Sequence, residues 1–179
     1  MVKIETGYPA SNKVLGTNWK LVPELISNKN IALIAAIFLG IIMKELLGLM
    51  FPDIGFKFYK QIYLLLLIIP VHELLHILFF PYSSETVIWV NIKKLFVAVT
   101  NNGEFSRIRL LTSLLAPFIM LTLLPLIICV WYKSQILIYV LLYNALASGG
   151  DMLSLITLIS TKGSRFMFDG DMLYTQVKT

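Results

Sequence analysis

The sequence contains one cysteine, Cys129, and two histidines, His72 and His76. A single cysteine excludes a disulfide framework and a zinc site built from several thiolates. Charged residues are also scarce, at 14% of the chain, whereas soluble domains contain about 25%. Hydrophobic residues reach 58% and the mean hydropathy is +0.80, which indicates an integral membrane protein. The net charge of +5 is spread between apolar segments, so we expect no nucleic-acid partner.

Four long apolar segments follow a more polar stretch of thirty residues. A helix needs about 20 apolar residues to cross a bilayer, and each segment approaches or exceeds that length. The chain length fits one domain, residues 1–179. We therefore predict an all-α membrane protein whose lipid partner is the bilayer. The four predicted transmembrane helices cover residues 31–50, 62–80, 108–131 and 135–160.

Lysine and arginine are distributed unevenly between the segments that connect the apolar runs. Eleven of the fifteen lie in residues 1–30, 82–109 and 161–179. With four spans, these three regions share one side of the membrane. Because cytoplasmic loops are enriched in Lys and Arg, we expect a multi-pass protein of the cell membrane with both termini in the cytoplasm.

The region between the second and third apolar runs has a composition typical of strands. Residues 86–92 and 95–100 are rich in β-branched and aromatic side chains, with Lys93-Lys94 between them. Asn101-Asn102-Gly103 follows as a turn signal. We predict a small β-hairpin-like cytoplasmic insertion here, and the alternative is a loop lying among the lipid headgroups.

Both histidines of the chain belong to one motif, His72-Glu73-Leu74-Leu75-His76. Histidines four residues apart lie on one face of a helix, where both can bind one tetrahedral ion. Glu73 is placed to act as general base on the attacking water and then to pass the proton to the leaving amine. The alternative is a buried pair of histidines without a metal. Three ionisable groups at membrane depth need a partner, so the motif favours Zn²⁺.

The motif supplies two ligands, so a third must come from elsewhere in the chain. Of the acids downstream, Glu85 and Glu104 fall in the predicted loop, and Asp169 and Asp171 fall in the polar tail. Only Asp151 lies inside an apolar run. At 1.5 Å per residue, the motif and this aspartate lie about 9 and about 14 Å from the cytoplasmic face. We predict Asp151 as the third ligand, with Asp169 as the open alternative.

Two features precede the predicted third ligand. Ser148-Gly149-Gly150 are small residues that allow close helix packing, and two glycines also loosen a helix. Asn144 lies two turns before Asp151 on the same helical face. It is predicted either to bind the substrate backbone or the oxyanion, or to hold two helices together by hydrogen bonds.

The order of these features resembles the site-two-type intramembrane metalloproteases. Within that class, the chain is most similar to a family of short bacterial multi-pass membrane proteins classed as zincin peptidases. The likeness rests on His72-Glu-Leu-Leu-His76, Leu115-Ala-Pro-Phe118 and the stretch from Asn144 to Asp151. The resemblance implies zinc held by the two histidines and Asp151, with Glu73 as catalytic base. It also implies a peptide substrate that is added as a strand along the hairpin.

Two functions follow from these observations. The leading hypothesis is a zinc-dependent endopeptidase that cuts a peptide or a transmembrane protein within or beside the bilayer. The alternative is a non-catalytic immunity or regulatory membrane protein that retains a structural zinc site. Glu73 favours the enzyme, because a structural site needs no general base. A prenyl-protein type of membrane protease is disfavoured, since that class takes a later glutamate as ligand and none follows Glu104.

Overall fold

A computed structural model describes residues 1–9, 18–22, 29–54, 61–91, 96–170 and 172–176. The Lys93-Lys94 pair and Asp171 lie outside the described residues. The helices come in three groups: a pair before the strand-rich insertion, one long helix after it, and a bent pair near the end. They are α1 (Lys29–Met50), α2 (Tyr63–Ile77), α3 (Arg107–Phe118), a π-helical turn (Ile119–Leu123), α4 (Leu124–Trp131), α5 (Gln135–Ala147) and α6 (Gly149–Ser160).

The predicted all-α fold class is wrong, because the described chain is mixed α/β and contains two sheets. Its strands lie at the N-terminus, in the insertion and in the C-terminal tail. The two terminal regions contain no long apolar run, and their strands pair with distant parts of the chain, so no local pattern predicts them. The strands are β1 (Val2–Thr6), β2 (Trp19–Leu21), β3 (Thr86–Asn91), β4 (Phe96–Asn101), β5 (Glu104–Ser106), β6 (Arg165–Asp169) and β7 (Met172–Gln176).

The first sheet has the strand order β1-β3-β4. β3 and β4 are antiparallel, with Thr86 opposite Asn101, and they occupy the place of the predicted hairpin. β1 adds a parallel strand on the other side of β3, with Val2 opposite Thr86. An ion pair between Lys3 and Glu85 joins β1 to the residue before β3, and it raises the pKa of the Lys3 ammonium group.

The second sheet is antiparallel, with the strand order β2-β7-β6-β5. Its buried face carries Phe105 and Phe166, both 0% exposed. The two phenylalanines pack in one apolar cluster with Leu110 of α3 and Leu158 of α6. This sheet therefore covers the beginning of the long helix, in α3, and the end of α6.

Within the described residues, two helices, Asn30–Met50 and Arg107–Trp131, are long and apolar enough to cross a membrane. The bent pair α5 and α6 would add one span if it counts as a broken helix, with 54° between its halves. The predicted span 62–80 is shorter than expected, because α2 ends at Ile77 after 15 residues. Pro81 disfavours helical backbone in the residue before it, which limits how far the helix can extend.

The described helices expose apolar side chains and bury polar ones. On α1, Ile34 and Phe38 are 66% and 62% exposed, although both are large and hydrophobic. In contrast, Thr122 and Asn144 are buried, at 2% and 0% exposure. A soluble domain shows the opposite distribution. Outward apolar and inward polar residues are the arrangement of helices that contact lipid.

Two apolar clusters lie at opposite ends of the helices. Along α2, Ile68 belongs to the first cluster, whereas Phe80, just after the helix, belongs to the second. Along the bent pair, Tyr143 belongs to the first and Leu158 to the second. The intervening stretches carry His72, His76 and Asp151, so the polar residues lie between two packed apolar regions.

Gly149 allows α1 to approach the bend between α5 and α6. A Cβ atom at Gly149 would lie 2.5 Å from the backbone nitrogen of Ala36 in α1, a distance that real structures do not tolerate. A Cβ atom at Gly150 would meet nothing within 4 Å. The two neighbouring glycines therefore differ, and only Gly149 is required by helix packing.

We predict that Gly149→Ala lowers the free energy of unfolding by about 1–3 kcal/mol, because the added methyl group overpacks against α1. Gly150→Ala is the matched control. It adds the same methyl group in open space and changes stability little, or raises it by up to about 1 kcal/mol through helix propensity. Thermal unfolding of both variants in detergent tests this, and equal effects at the two positions would contradict the packing argument.

Candidate metal centre

His72 and His76 lie one turn apart on the buried face of α2, and they are 3% and 7% exposed. Their ring centroids are 5.0 Å apart, and the rings meet edge to face. Leu74, between them in sequence, is 52% exposed on the opposite face. The helix thus places both imidazoles on its buried face, as their spacing of four residues predicts.

Asp151 lies in the first turn of α6 and faces both histidines. Its Oδ2 atom is 2.9 Å from Nε2 of His72, and its Oδ1 atom is 3.4 Å from Nε2 of His76. One possible ligand atom from each residue lies within 4.8 Å of the others, and no second group of this kind occurs among the described residues. Asp169 instead lies in β6, opposite Met172 of β7. The structure thus brings together the three predicted ligands and leaves Asp169 apart.

The ring of His76 is fixed by a backbone group of α3. Its Nδ1 atom is 2.8 Å from the carbonyl oxygen of Ser113. A carbonyl oxygen can only accept, so Nδ1 must carry the hydrogen. In the neutral imidazole, Nε2 then keeps its lone pair and faces Asp151. This bond therefore selects Nε2 of His76 as the atom that can bind a metal.

The ring of His72 is fixed in the same way by Asn144. The side-chain nitrogen of Asn144 donates to the Pro117 carbonyl, at 3.2 Å, and to the Thr122 hydroxyl, at 2.8 Å. Because the Pro117 carbonyl only accepts, the amide orientation is determined, and the Asn144 oxygen is left 2.9 Å from Nδ1 of His72. His72 donates this bond, and its Nε2 lone pair also faces Asp151.

The arrangement fits a zinc ion. Two Nε2 lone pairs face the carboxylate of Asp151, and Asp151 Oδ2 is buried without a hydrogen-bond donor among the described residues. With both imidazoles neutral, no hydrogen lies between these three acceptor atoms, and a bound cation would satisfy all of them. Two imidazole nitrogens and one carboxylate oxygen form a ligand set of catalytic zinc sites, in which a fourth position is left open.

Thr122 reaches Asn144 from the π-helical turn. In this turn, Leu124 N–H bonds to the carbonyl of Ile119, five residues back instead of four. Such turns are rare and occur frequently at functional sites. Asn144 is thus bonded to α2 and to the long helix at once. This matches the prediction that it links helices, while its predicted contact with substrate stays a prediction.

Glu73 faces the first sheet. Its Oε2 atom accepts a hydrogen bond from the backbone N–H of Val99 in β4, at 3.1 Å. The Asn102 N–H bonds to the Glu85 carbonyl, so that pair exchanges hydrogen bonds. In an antiparallel ladder, hydrogen-bonded pairs of opposite residues alternate with non-hydrogen-bonded pairs. Val99 lies three residues before Asn102, so Val99 and its partner Ile88 form a non-hydrogen-bonded pair. The Val99 N–H thus points away from β3, and the outer edge of β4 faces Glu73.

Three neighbours of the site carry no sequence signal of their own: Ser113, Thr122 and Val99. Ser113 and Val99 take part through backbone groups, which any residue type supplies. Thr122 takes part through its hydroxyl, but one threonine in an apolar helix is ordinary. The nearest signal is Pro117, a helix-breaking residue within the long helix.

We predict that Asp151→Ala reduces the zinc content of the purified protein from about one ion per chain to a small fraction, because one of three ligands is lost. Asp169→Ala is the control, since it removes an aspartate that is buried outside the cluster. Elemental analysis of both variants beside the wild type measures the effect. Unchanged zinc in Asp151→Ala would mean that another residue completes the site.

We predict that Asn144→Ala weakens zinc affinity by about 10–100-fold, the usual effect of losing the partner of a ligating histidine. Asn101→Ala is the matched control. Asn101 is also 0% exposed and makes its bonds within the insertion, to Thr86, Pro81 and Ser84. Competition with a zinc chelator compares the folded variants, and equal weakening in both would indicate a general loss of stability.

Comparison with known proteins agrees with this site. A family model described as "Putative zincin peptidase" matches residues 65–165, which is more than half of the chain. The matched segment contains the histidine motif, the β3–β4 pair, the long helix and Asp151. Neither the curated proteins nor the solved structures include a significant match to the chain. The family model covers every residue of the metal cluster, and the chain belongs to this zincin peptidase family.

Proposed function

We propose that the protein is a zinc-dependent endopeptidase of the cell membrane that cuts a peptide or a transmembrane protein within or beside the bilayer. One observation carries the proposal. The Nε2 atoms of His72 and His76 converge on Asp151, and the Nδ1 atom of each ring is held by a hydrogen bond. Membership of a peptidase family supports the same chemistry.

The side chains have distinct roles in this reaction. His72, His76 and Asp151 would hold the ion. When bound, zinc supplies Lewis acidity that activates water near neutral pH and polarises the scissile carbonyl group. Glu73 takes the proton from the attacking water and delivers it to the leaving amine. Its bond from Val99 N–H keeps the carboxylate between the metal ligands and the sheet.

The outer edge of β4 is the proposed docking edge for the substrate. At every second residue of β4, the backbone N–H and C=O groups point away from β3 and line this edge. These residues are Val97, Val99 and Asn101. An extended peptide added here would form main-chain hydrogen bonds with this edge at groups other than the Val99 N–H, which is bonded to Glu73. Its backbone would then run beside Glu73, because the Val99 N–H already reaches that carboxylate. This supports a substrate that is unfolded locally before cleavage.

Strand pairing supports a multi-pass arrangement with both termini on one side. β1 pairs with β3, and β2 pairs with β7, so the N-terminal, middle and C-terminal strands are hydrogen-bonded together. Paired strands cannot lie on opposite faces of a bilayer. The helices between them must therefore return to the side from which they start. Because eleven of the fifteen Lys and Arg residues lie in these regions, we assign that side to the cytoplasm.

We predict that Glu73→Gln keeps the zinc but lowers the cleavage rate by about 10²–10⁴-fold, the usual contribution of a general base. Glu104→Gln is the control, because Glu104 is exposed and paired with Arg165 in the second sheet, away from the metal cluster. New protein N-termini are measured by mass spectrometry in membranes of cells that express each variant. The N-termini produced by the wild type should persist with Glu104→Gln and disappear with Glu73→Gln.

The same experiment separates the enzyme from a non-catalytic zinc protein. If the wild type produces no new N-termini, and Glu73→Gln retains zinc and leaves the cellular phenotype unchanged while His72→Ala abolishes it, the protein acts without proteolysis. Retention of full cleavage by Glu73→Gln would refute the assignment of the base. Absence of zinc from the wild-type protein would refute the metal site itself.

A further inference from the structure

Pro117 lies inside α3, where proline is unfavourable because it lacks a backbone N–H. In an α-helix, the N–H of each residue bonds to the carbonyl four residues earlier. The carbonyl that loses its donor at Pro117 is therefore that of Ser113. A freed carbonyl within an apolar helix must find another donor, since an unpaired buried polar group is costly.

The donor that Ser113 finds is the metal-site histidine. His76 Nδ1 lies 2.8 Å from the Ser113 carbonyl, and the Ser113 hydroxyl donates back to the His76 carbonyl at 3.1 Å. Ser113 is 2% exposed, so water does not compete for these bonds. The carbonyl that orients His76 is thus the same carbonyl that the proline leaves without a helical partner.

We propose that Pro117 is a positioning residue for the metal site. By removing one helical donor, it leaves the Ser113 carbonyl to His76 and so fixes Nε2 of that ring as the metal-binding atom. Pro117 acts through Ser113 and His76, and it is not a ligand. The inference rests on the proposed zinc site, and it assigns a role to the Leu115-Ala-Pro-Phe118 stretch that the ligand set leaves unexplained.

Pro117 also contacts the site through its own backbone carbonyl, and this second contact is distinct from the proposed role. The Pro117 carbonyl accepts a hydrogen bond from Asn144, which holds His72. Alanine at position 117 keeps that carbonyl and restores only the N–H. Pro117→Ala therefore introduces a competitor for the Ser113 carbonyl and leaves the Asn144 bond available.

Pro125 provides a matched control. It is also buried, and it lies eight residues further along the same continuous helix. A restored N–H at Pro125 would face the carbonyl of Leu121, which takes no part in the histidine bonds. Both substitutions remove a proline from this helix, but only Pro117→Ala restores a donor to the carbonyl that His76 uses.

The test compares the two full-length variants with the wild type in detergent. We expect the metal-free Pro117→Ala protein to unfold at the same or a higher temperature, because its helix gains a hydrogen bond. Its zinc affinity, measured against a chelator, should nevertheless fall by about 10–100-fold. Pro125→Ala should match the wild type in zinc affinity and in the absorption spectrum of the cobalt-substituted protein. If the role of Pro117 were purely structural, Pro117→Ala would lower both the stability and the zinc affinity.

Nuclear magnetic resonance gives a readout that needs no metal. The chain has two histidines, so labelling with ¹⁵N-histidine yields two ring spectra. In the metal-free wild type, at a pH where the ring is neutral, His76 should be protonated at Nδ1, and Pro117→Ala should shift part of the population to protonation at Nε2. Three results would each overturn the inference. The first is that Pro117→Ala changes neither the tautomers nor the zinc affinity. The others are an equal loss of zinc affinity in Pro125→Ala and an unfolding temperature of Pro117→Ala below that of the wild type. A wild type that binds no zinc would refute the proposed function, while the tautomer spectra would still decide the role of Pro117.

Discussion

The hydrogen bonds to the Nδ1 atoms of His72 and His76 are the interactions on which the site depends. Each bond decides which ring nitrogen keeps a lone pair, and it holds the ring against rotation. The same bonds join α2 to its neighbours, through the Ser113 carbonyl on one side and Asn144 on the other. The stability of the helix packing and the chemistry of the site therefore rely on the same buried polar contacts, in a region otherwise composed of apolar side chains.

The two sheets and the helices have different roles in the structure. The helices bury polar groups and expose apolar ones, which suits contact with lipid. The sheets carry the backbone edge that faces Glu73, and they join the beginning, middle and end of the chain. An isolated β3–β4 pair would be marginally stable. The addition of β1 on one side leaves the outer edge of β4 as the side that faces α2.

The sequence predicts the ligand cluster better than the architecture around it. His72, Glu73 and His76 form a local motif, and Asp151 follows by elimination because an acid within an apolar run is rare. Pairing of β2 with β7 joins residues more than 150 positions apart, so no local periodicity reveals it. The partners of the histidines are equally hidden, since one is a backbone carbonyl. For Asn144, the residue type permits both predicted roles, and only its packed neighbours distinguish them.

The pairing of β1 with β3 also imposes an order on biosynthesis. Val2 lies opposite Thr86, so the first strand to be made waits for a partner that is made 84 residues later. α1 and α2 both lie between them and must be made before the sheet can close. Closing so long a loop early is entropically unfavourable. The sheet whose edge faces Glu73 is consequently completed only after both helices are made, so the newly made chain carries its histidine motif before this sheet is finished.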